Sequence, residues 1–429
     1  MPFTTSLDRR RLLAALTALA AAPGAARAAE AGYPSVRAFL EKYRKAGAFS
    51  GGVVAIQRRG HAPDFVSVGT LAFENQAPID PASLFRVYSM TKPITGAAAM
   101  TLVEDGKLKL DQPLSDILPD FKSMSVVVGG DPAKTRPAAG PILIRHLLTH
   151  TSGLSYNIDD RSPLAKVYLM NGLAPGGRDT QPLLPGGLPP AKDLDEFGAR
   201  LAKLPLDFDP GTKWQYSVAA DLMGLVIQRV SGKSFWEFLS SRLFEPLQMP
   251  DTDFMVPASK VARLTTVYAK TKDGVVASDP GSAASPFARD RDLPSGGGGL
   301  VASTRDYARF NAMLLNEGEL DGRRVLKAAT VRLARSNLMP PGVAFDAFSP
   351  GKANGFGAFM QVVLPGGQLF PGSEPPGSYG WSGAAGTTMW IDPTNALAVS
   401  CMVQFFPSGA YPVYLDSRLS TYGDLGIKP

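Results

Sequence analysis

The chain has 429 residues, 45% of them hydrophobic and 19% charged, proportions of an ordinary globular protein that exclude a disordered, collagenous or coiled-coil chain. Its formal charge of +6 includes +3 from the first 28 residues, where Arg9, Arg10, Arg11 and Arg27 outweigh Asp8, so the rest carries no basic stripe and no nucleic-acid partner is expected. A single cysteine, Cys401, excludes an intrachain disulfide and a Cys-rich zinc site, and three histidines narrow the acid–base options.

Residues 1–28 have the layout of a removable export signal: arginines at 9–11, an apolar run over 12–22, and the small-x-small sequence Ala26-Arg27-Ala28. The run is too short to span a bilayer. Arginines followed by Leu12 and Leu13 resemble a twin-arginine signal, with an ordinary export signal or an uncleaved amphipathic helix as alternatives. A periplasmic or secreted location is expected for the remaining domain, 29–429. No later stretch holds about 18 uninterrupted apolar residues, so stable membrane insertion is not expected.

From Ser35, read as an N-cap, Val36, Phe39, Leu40 and Tyr43 recur at helical spacing. Strand-like runs follow at 52–58 and 64–70, around a turn with Gly60 and Pro63. Helices are expected at 142–149, 217–231 and 234–245, the last with Phe235, Phe238, Leu239 and Leu243 on one face. Pro and Gly crowd 172–190, 339–354 and 365–378, which read as surface loops serving as lids or as insertions without a role. β-rich runs return at 356–364, 387–392 and 396–406, with Pro393-Thr394-Asn395 as a turn, and 413–422 reads as a closing helix. Strands at both ends and helices between them predict an α+β fold. One sheet is assembled from about 29–100 and 300–429, with a helical part of about 100–300 inserted.

His146 and His150 form the only close histidine pair, without a His-Glu-x-x-His motif or Cys/His cluster, so they read as hydrogen-bonding residues at a helix end and no metal is expected. No serine has glycine at both minus two and plus two, which weakens a Ser-His-Asp reading. There remains a serine activated by a group other than histidine. In Ser89-Met90-Thr91-Lys92 a helix starting at Ser89 sets the Lys92 amine one turn on, beside the hydroxyl. A second copy of the spacing, Ser349 to Lys352, contains Pro350 and Gly351 and cannot be helical. Ser89 follows the β-like 85–87 and precedes the apolar 94–103, with Pro93 in the tolerated first turn. A serine at such a junction exposes its hydroxyl and frees its N–H, both useful in acyl transfer. The motif alone leaves open a plain N-cap serine beside a solvated lysine.

A lysine amine is a poor base while protonated, with a reference pKa of about 10.4. It needs burial or a nearby cation to lose its proton. Tyr216, within Trp214-Gln215-Tyr216-Ser217-Val218, offers a proton relay, although a lone tyrosine is more often a core aromatic. The glycines at 296–299 lack the Gly-Lys-Ser/Thr of a phosphate loop and precede a capping-box pattern, Ser303-Thr304-Arg305-Asp306, so they read as a tight turn near the cleft.

Ser89-x-x-Lys92, His146-Leu-Leu-Thr-His-Thr-Ser-Gly-Leu154, Pro210-Gly-Thr-Lys-Trp-Gln-Tyr216-Ser217, Gly296-Gly-Gly-Gly-Leu-Val-Ala-Ser-Thr304 and Trp381-Ser382-Gly383 occur in the order found in serine β-lactamase-related proteins. Over roughly residues 34–425 the pattern resembles class C β-lactamases and, more closely, the family VIII carboxylesterases. The resemblance implies a β-lactamase/penicillin-binding-protein-like fold, with an antiparallel sheet flanked by helices, an inserted helical domain and an active site between them. It implies Ser89 as nucleophile, Lys92 as its base and Tyr216 as proton relay. The backbone N–H groups of Ser89 and Ala384 would form the oxyanion hole, with Trp381, Ser382 and Gly383 on an edge strand against the substrate.

Two departures stand out: Tyr216-Ser217-Val218 replaces Tyr-x-Asn, removing an amide, and Trp381-Ser382-Gly383 replaces Lys-Thr-Gly, removing a cation. Both agree with the esterase branch. The expected activity is that of a serine carboxylesterase acting on a small-molecule ester with a short acyl chain, without a cofactor. A β-lactamase, a D-amino-acid peptidase or amidase, an acyltransferase, and a silent binder of cell-wall peptides are the alternatives.

Overall fold

The computed structural model describes residues 32–158, 161–174, 182–289, 293–345, 353–367 and 374–428. The export signal expected at 1–28, the Ser349 copy of the motif and the centre of the 172–190 loop lie outside these residues. The chain opens with helix α1 (Pro34–Lys45), strands β1 (Gly51–Arg58), β2 (Asp64–Gly69) and β3 (Leu84–Arg86), and helix α2 (Thr91–Glu104). Its middle supplies α3 (Ile144–Leu148) and α4 (Ala219–Ser231). The last third adds β4 (Val301–Ser303), α5 (Thr304–Leu315), β5 (Asn354–Phe356), β6 (Gln361–Val363), β7 (Tyr379–Ser382), β8 (Thr388–Asp392), β9 (Leu397–Met402) and α6 (Val413–Asp424).

Seven of these strands form one sheet in the order β5-β6-β7-β8-β9-β1-β2. Every neighbouring pair is antiparallel. The two ends of the chain meet where β1 pairs with β9, from Val53 opposite Met402 to Arg58 opposite Leu397. The fold is α+β, with the sheet assembled from both termini as the strand pattern requires.

Alternate residues of a strand point to opposite faces, and here both faces are covered. Leu397, Val399 and Cys401 of β9 join Val54 and Ile56 of β1 in packing against Val36, Phe39, Leu40 and Tyr43 of α1. Ala398 and Met402 face the other way, into the core that contains Tyr307, Phe310, Met313 and Leu314 of α5. Fully burying an aliphatic or aromatic side chain stabilises by about 1.5–3 kcal/mol, so both helix faces contribute strongly. Helix α2 continues this second core into the helical part, and each residue from Thr91 to Leu102 is buried.

Several local expectations change in three dimensions. Helix α1 starts at Pro34 with Tyr33 at the cap position. The free N–H groups of Ser35 and Val36 donate instead to the Asp424 carboxylate on α6, at 3.0 and 2.9 Å, so a remote side chain does the capping expected of Ser35. The 234–245 helix is α-helical only over Phe235–Leu239, closed at its start by a Ser234/Glu237 capping box, and runs on as a π-turn over Ser240–Phe244. Ser303 caps α5 by accepting the Asp306 N–H at 3.1 Å, but the Asp306 carboxylate accepts from Asp251 N–H and Thr252, leaving half a capping box. The strand carrying Trp381 is not at an edge: β7 lies between β6 and β8. Its pairing with β6 covers only Tyr379 and Gly380. Trp381 and Ser382 therefore project past a shorter neighbour, which opens the sheet at that point.

Candidate active site

Ser89 is placed by the strand that precedes it. β3 pairs with β4, Leu84 opposite Ser303, and its last residue is anchored: the buried Arg86 guanidinium donates to Asp279 at 2.8 and 2.6 Å and to Ser285 Oγ at 2.9 Å. A buried charge is tolerated only with such partners. Gln404 accepts from the Arg86 N–H at 3.0 Å and donates to its carbonyl at 3.1 Å. Two residues on, Tyr88 adopts φ +43°, a left-handed conformation that costs a non-glycine residue about 1–3 kcal/mol. Its ring is held edge-on by Phe287 and Phe406, with centroids at 5.8 and 5.3 Å. The strain turns the chain through a 3-10 turn, Tyr88–Met90, into α2. The expected helix start at Ser89 is thus a tighter turn, but Lys92 still falls on the hydroxyl's side.

Tyr216, just before α4, donates its hydroxyl to Ser89 Oγ at 2.8 Å, and Lys92 Nζ donates to the same oxygen at 3.4 Å. The Lys92 amine lies over the Tyr216 ring, 4.4 Å from its centroid, and 5.5 Å from that of Tyr156. Lys92 is fully buried, and its firmest contact is the Gly297 carbonyl at 2.7 Å. The 296–299 turn therefore does more than pack: its Gly297 carbonyl holds Lys92 Nζ in place. Trp381 Nε1 donates to the Tyr216 oxygen at 3.4 Å.

These residues open onto a cavity of about 340 Å³ lined by Ser89, Tyr216, Trp381, Ser382, Gly383 and Ala384. After β7, the Gly383 N–H is taken by the Thr387 carbonyl at 2.7 Å. A Cβ on Gly383 would stand 2.4 Å from the Val87 carbonyl, so only glycine lets the strand end approach the chain just before Ser89. Neither the Ser89 nor the Ala384 N–H has a backbone acceptor among the described residues. A serine oxygen contacting an amine and a phenol, beside two free N–H groups, can attack a carbonyl carbon and stabilise the resulting oxyanion.

Trp214, Gln361, Tyr414 and Arg418 line the same cavity, and sequence reasoning gave them no role. Trp214 sits inside a quoted motif, whereas Tyr414 and Arg418 carried no signal beyond a helical pattern. Arg418 is buried against Glu374, donates to the Tyr414 carbonyl at 2.8 Å and stacks on Trp390 at 4.6 Å. Trp214, Tyr216 and Trp381 form the aromatic part of the lining, and Phe345 and Phe356 pack against them from the core.

Neither close histidine bonds to Ser89 among the described residues. His146 Nδ1 accepts the Leu143 N–H at 3.2 Å, and His150 Nδ1 shares a hydrogen bond with Ser217 Oγ at 3.0 Å. Burial, assisted by Arg145, lowers the His146 pKa to about 4. Burial and then the Lys92 charge hold His150 well below the ordinary range. His150 packs as a neutral ring 4.8 Å from Tyr216. Among the described residues no group of three His, Cys, Asp or Glu side chains is placed to hold a metal ion, and no helix is long and apolar enough to cross a membrane.

An antiparallel sheet beside a helical part, with Ser-x-x-Lys at their junction, is the architecture of the β-lactamase and penicillin-binding-protein fold. The Beta-lactamase family model matches residues 36–419, and the chain belongs to that family. An uncharacterised protein of Mycobacterium tuberculosis is 32% identical over 86% of this chain and 90% of its own length. Esterase EstB of Burkholderia gladioli is 31% identical over 81% of this chain and 84% of its own. Among solved structures, EstCE1, described as a hydrolase with promiscuous acyltransferase activity, superposes with a TM-score of 0.75 at 26% identity, covering 91% of this chain and 98% of its own. Within the family the chain stands near the family VIII carboxylesterases.

Proposed function

We propose that this protein is a serine hydrolase that cleaves carboxylic esters with short, uncharged acyl chains through an acyl-enzyme on Ser89. The observation that carries the reading is the pair of contacts on Ser89 Oγ, from the Tyr216 hydroxyl at 2.8 Å and Lys92 Nζ at 3.4 Å. With the Lys92/Tyr216 unit deprotonated, it takes the Ser89 proton as Oγ bonds to the ester carbonyl carbon. The carbonyl electrons move onto oxygen, which faces the Ser89 and Ala384 N–H groups. The intermediate collapses, the C–O bond to the alcohol breaks, and Tyr216 returns the proton to the departing alkoxide. Water then gives a proton to the same unit as its oxygen bonds to the acyl carbon, the bond from that carbon to Oγ breaks, and the unit returns the proton to Oγ, releasing the acid and restoring the Ser89 hydroxyl.

The names of relatives support ester chemistry: an esterase at 31% identity and a lovastatin esterase of Penicillium rubens at 29%. A second reading, transfer of the acyl group to an alcohol instead of water, is favoured by relatives named as acyltransferases, such as that of Monascus pilosus, 31% identical over 58% of this chain. The arginines at 9–11 support a periplasmic or secreted site of action. Labelling with a fluorophosphonate, followed by peptide mapping, tests the chemistry. Covalent modification of Ser89, with hydrolysis of aryl acetate or butyrate, is the expected result. An unlabelled, inactive protein would leave only a binding role.

A further inference from the structure

We infer that Asp221 is a positioning residue for this chemistry: from the first turn of α4 its carboxylate clamps the 296–299 turn and supplies, through Gly297, the negative charge that balances Lys92. The inference rests on the proposed roles of Ser89 and Lys92. Asp221 is fully buried. Its Oδ1 accepts from the Ser295 hydroxyl at 2.6 Å and from the Gly297 N–H at 2.9 Å. Oδ2 is buried without a hydrogen-bond partner among the described residues. The carbonyl of Gly297 turns the other way and accepts from Lys92 Nζ at 2.7 Å. One residue thus stands between an anion on α4 and a cation on α2, its N–H facing the first and its C=O the second.

The glycine at 297 is required by the carboxylate. A Cβ there would lie 2.6 Å from Asp221 Oδ2 and 3.1 Å from Oδ1, so any side chain would push the two apart. Burial raises the Asp221 pKa, while the Lys92 charge opposes that rise, followed by the bonds from Ser295 and Gly297. A carboxylate buried this deeply is costly unless it meets a charge or strong donors. The other groups facing Lys92 are the rings of Tyr216 and Tyr156 and the neutral His150. Asp221 is the one carboxylate in this set. Tyr156, pushed well above the ordinary range by burial and then by Asp221, stays protonated.

Asp221→Asn keeps the volume and an oxygen to accept from Ser295 and Gly297 but removes the charge. In a profile of kcat/KM against pH with an uncharged aryl ester, its acid limb should lie lower than the wild-type limb by about one pH unit, because the amine beside Ser89 loses its proton more readily without the anion. A limb that stays in place, whatever happens to the maximal rate, would make Asp221 a packing residue and overturn the inference. A second measurement needs no turnover and so separates this inference from the esterase reading. In Lys92→Met the buried carboxylate has lost its cation, so the loss of thermal stability relative to wild type should grow as pH rises above the carboxylate range and shrink in acid. Adding Asp221→Asn should recover that loss. A deficit that is the same at every pH, or that the second substitution does not relieve, overturns the pairing.

Discussion

The Tyr414 hydroxyl donates to the Gly383 carbonyl at 2.6 Å, tying α6 to the turn that follows β7 and carries Ala384 into the cavity lining. Burial raises the Tyr414 pKa to about 12, so the hydroxyl remains a donor across the working pH range. A neutral hydrogen bond contributes about 0.5–1.5 kcal/mol. Tyr414→Phe should lower kcat for a short-chain aryl ester by up to about tenfold, with KM little changed. If the melting temperature falls while kcat holds, the bond serves the fold alone.

Ser89→Ala should abolish ester turnover, because no acyl-enzyme can form. Ser349→Ala, in the second copy of the spacing, should be nearly silent. Steady-state rates of the two purified variants test the choice of serine, and the opposite pattern would transfer the nucleophile to Ser349.

Lys92→Ala and Tyr216→Phe should each reduce kcat by about three orders of magnitude, and the double variant should lose little more, because both groups act on one proton at Ser89 Oγ. Rates for the two single variants and the double variant complete the cycle. Losses that multiply would mean that the amine and the phenol act independently.

Selectivity should turn on charge at the mouth of the sheet. Trp381 offers one N–H, already directed at Tyr216, and the nearby Arg418 is buried against Glu374. At Trp381 itself an anionic substrate meets no cation and loses a charge-assisted hydrogen bond worth about 1.5–3 kcal/mol, or one to two orders of magnitude in kcat/KM, although the exposed Arg161 also lines the cavity. Uncharged short-chain esters should outrun a chromogenic cephalosporin, and Trp381→Lys should move the ratio toward the lactam. Equal wild-type rates on both substrates would defeat the esterase assignment.

Acid should destabilise the fold through His146. Its folded pKa of about 4 lies below the ordinary histidine value of 6.5. The contribution is therefore fully present above 6.5 and is lost as pH falls toward 4, where the unfolded chain binds a proton that the folded chain refuses. At roughly 1.4 kcal/mol per pKa unit, the loss approaches about 3 kcal/mol. Urea unfolding of wild type and His146→Gln between pH 7 and pH 4 should show a shallower dependence in the variant. Parallel curves would assign the acid sensitivity to other groups.

Features with a local rule were readable from the sequence alone. Val36, Phe39, Leu40 and Tyr43 repeat at helical spacing and all four are buried on α1. Ser89 and Lys92 are three residues apart, so a single turn brings them together whatever surrounds them. The strands at both ends announced a sheet closed between the termini, although not the order in which seven strands pair. Tertiary structure alone decided what meets across long stretches of chain. Asp424 caps a helix 389 residues away, and Gly297 holds Lys92 from 205 residues away. Asp221 and Glu374 face charges on other elements. Such contacts leave no periodic trace, because a carboxylate or a carbonyl is chosen by the space that other segments enclose. The same holds for β7, whose end is left without a strand partner on one side because β6 is too short to pair with it.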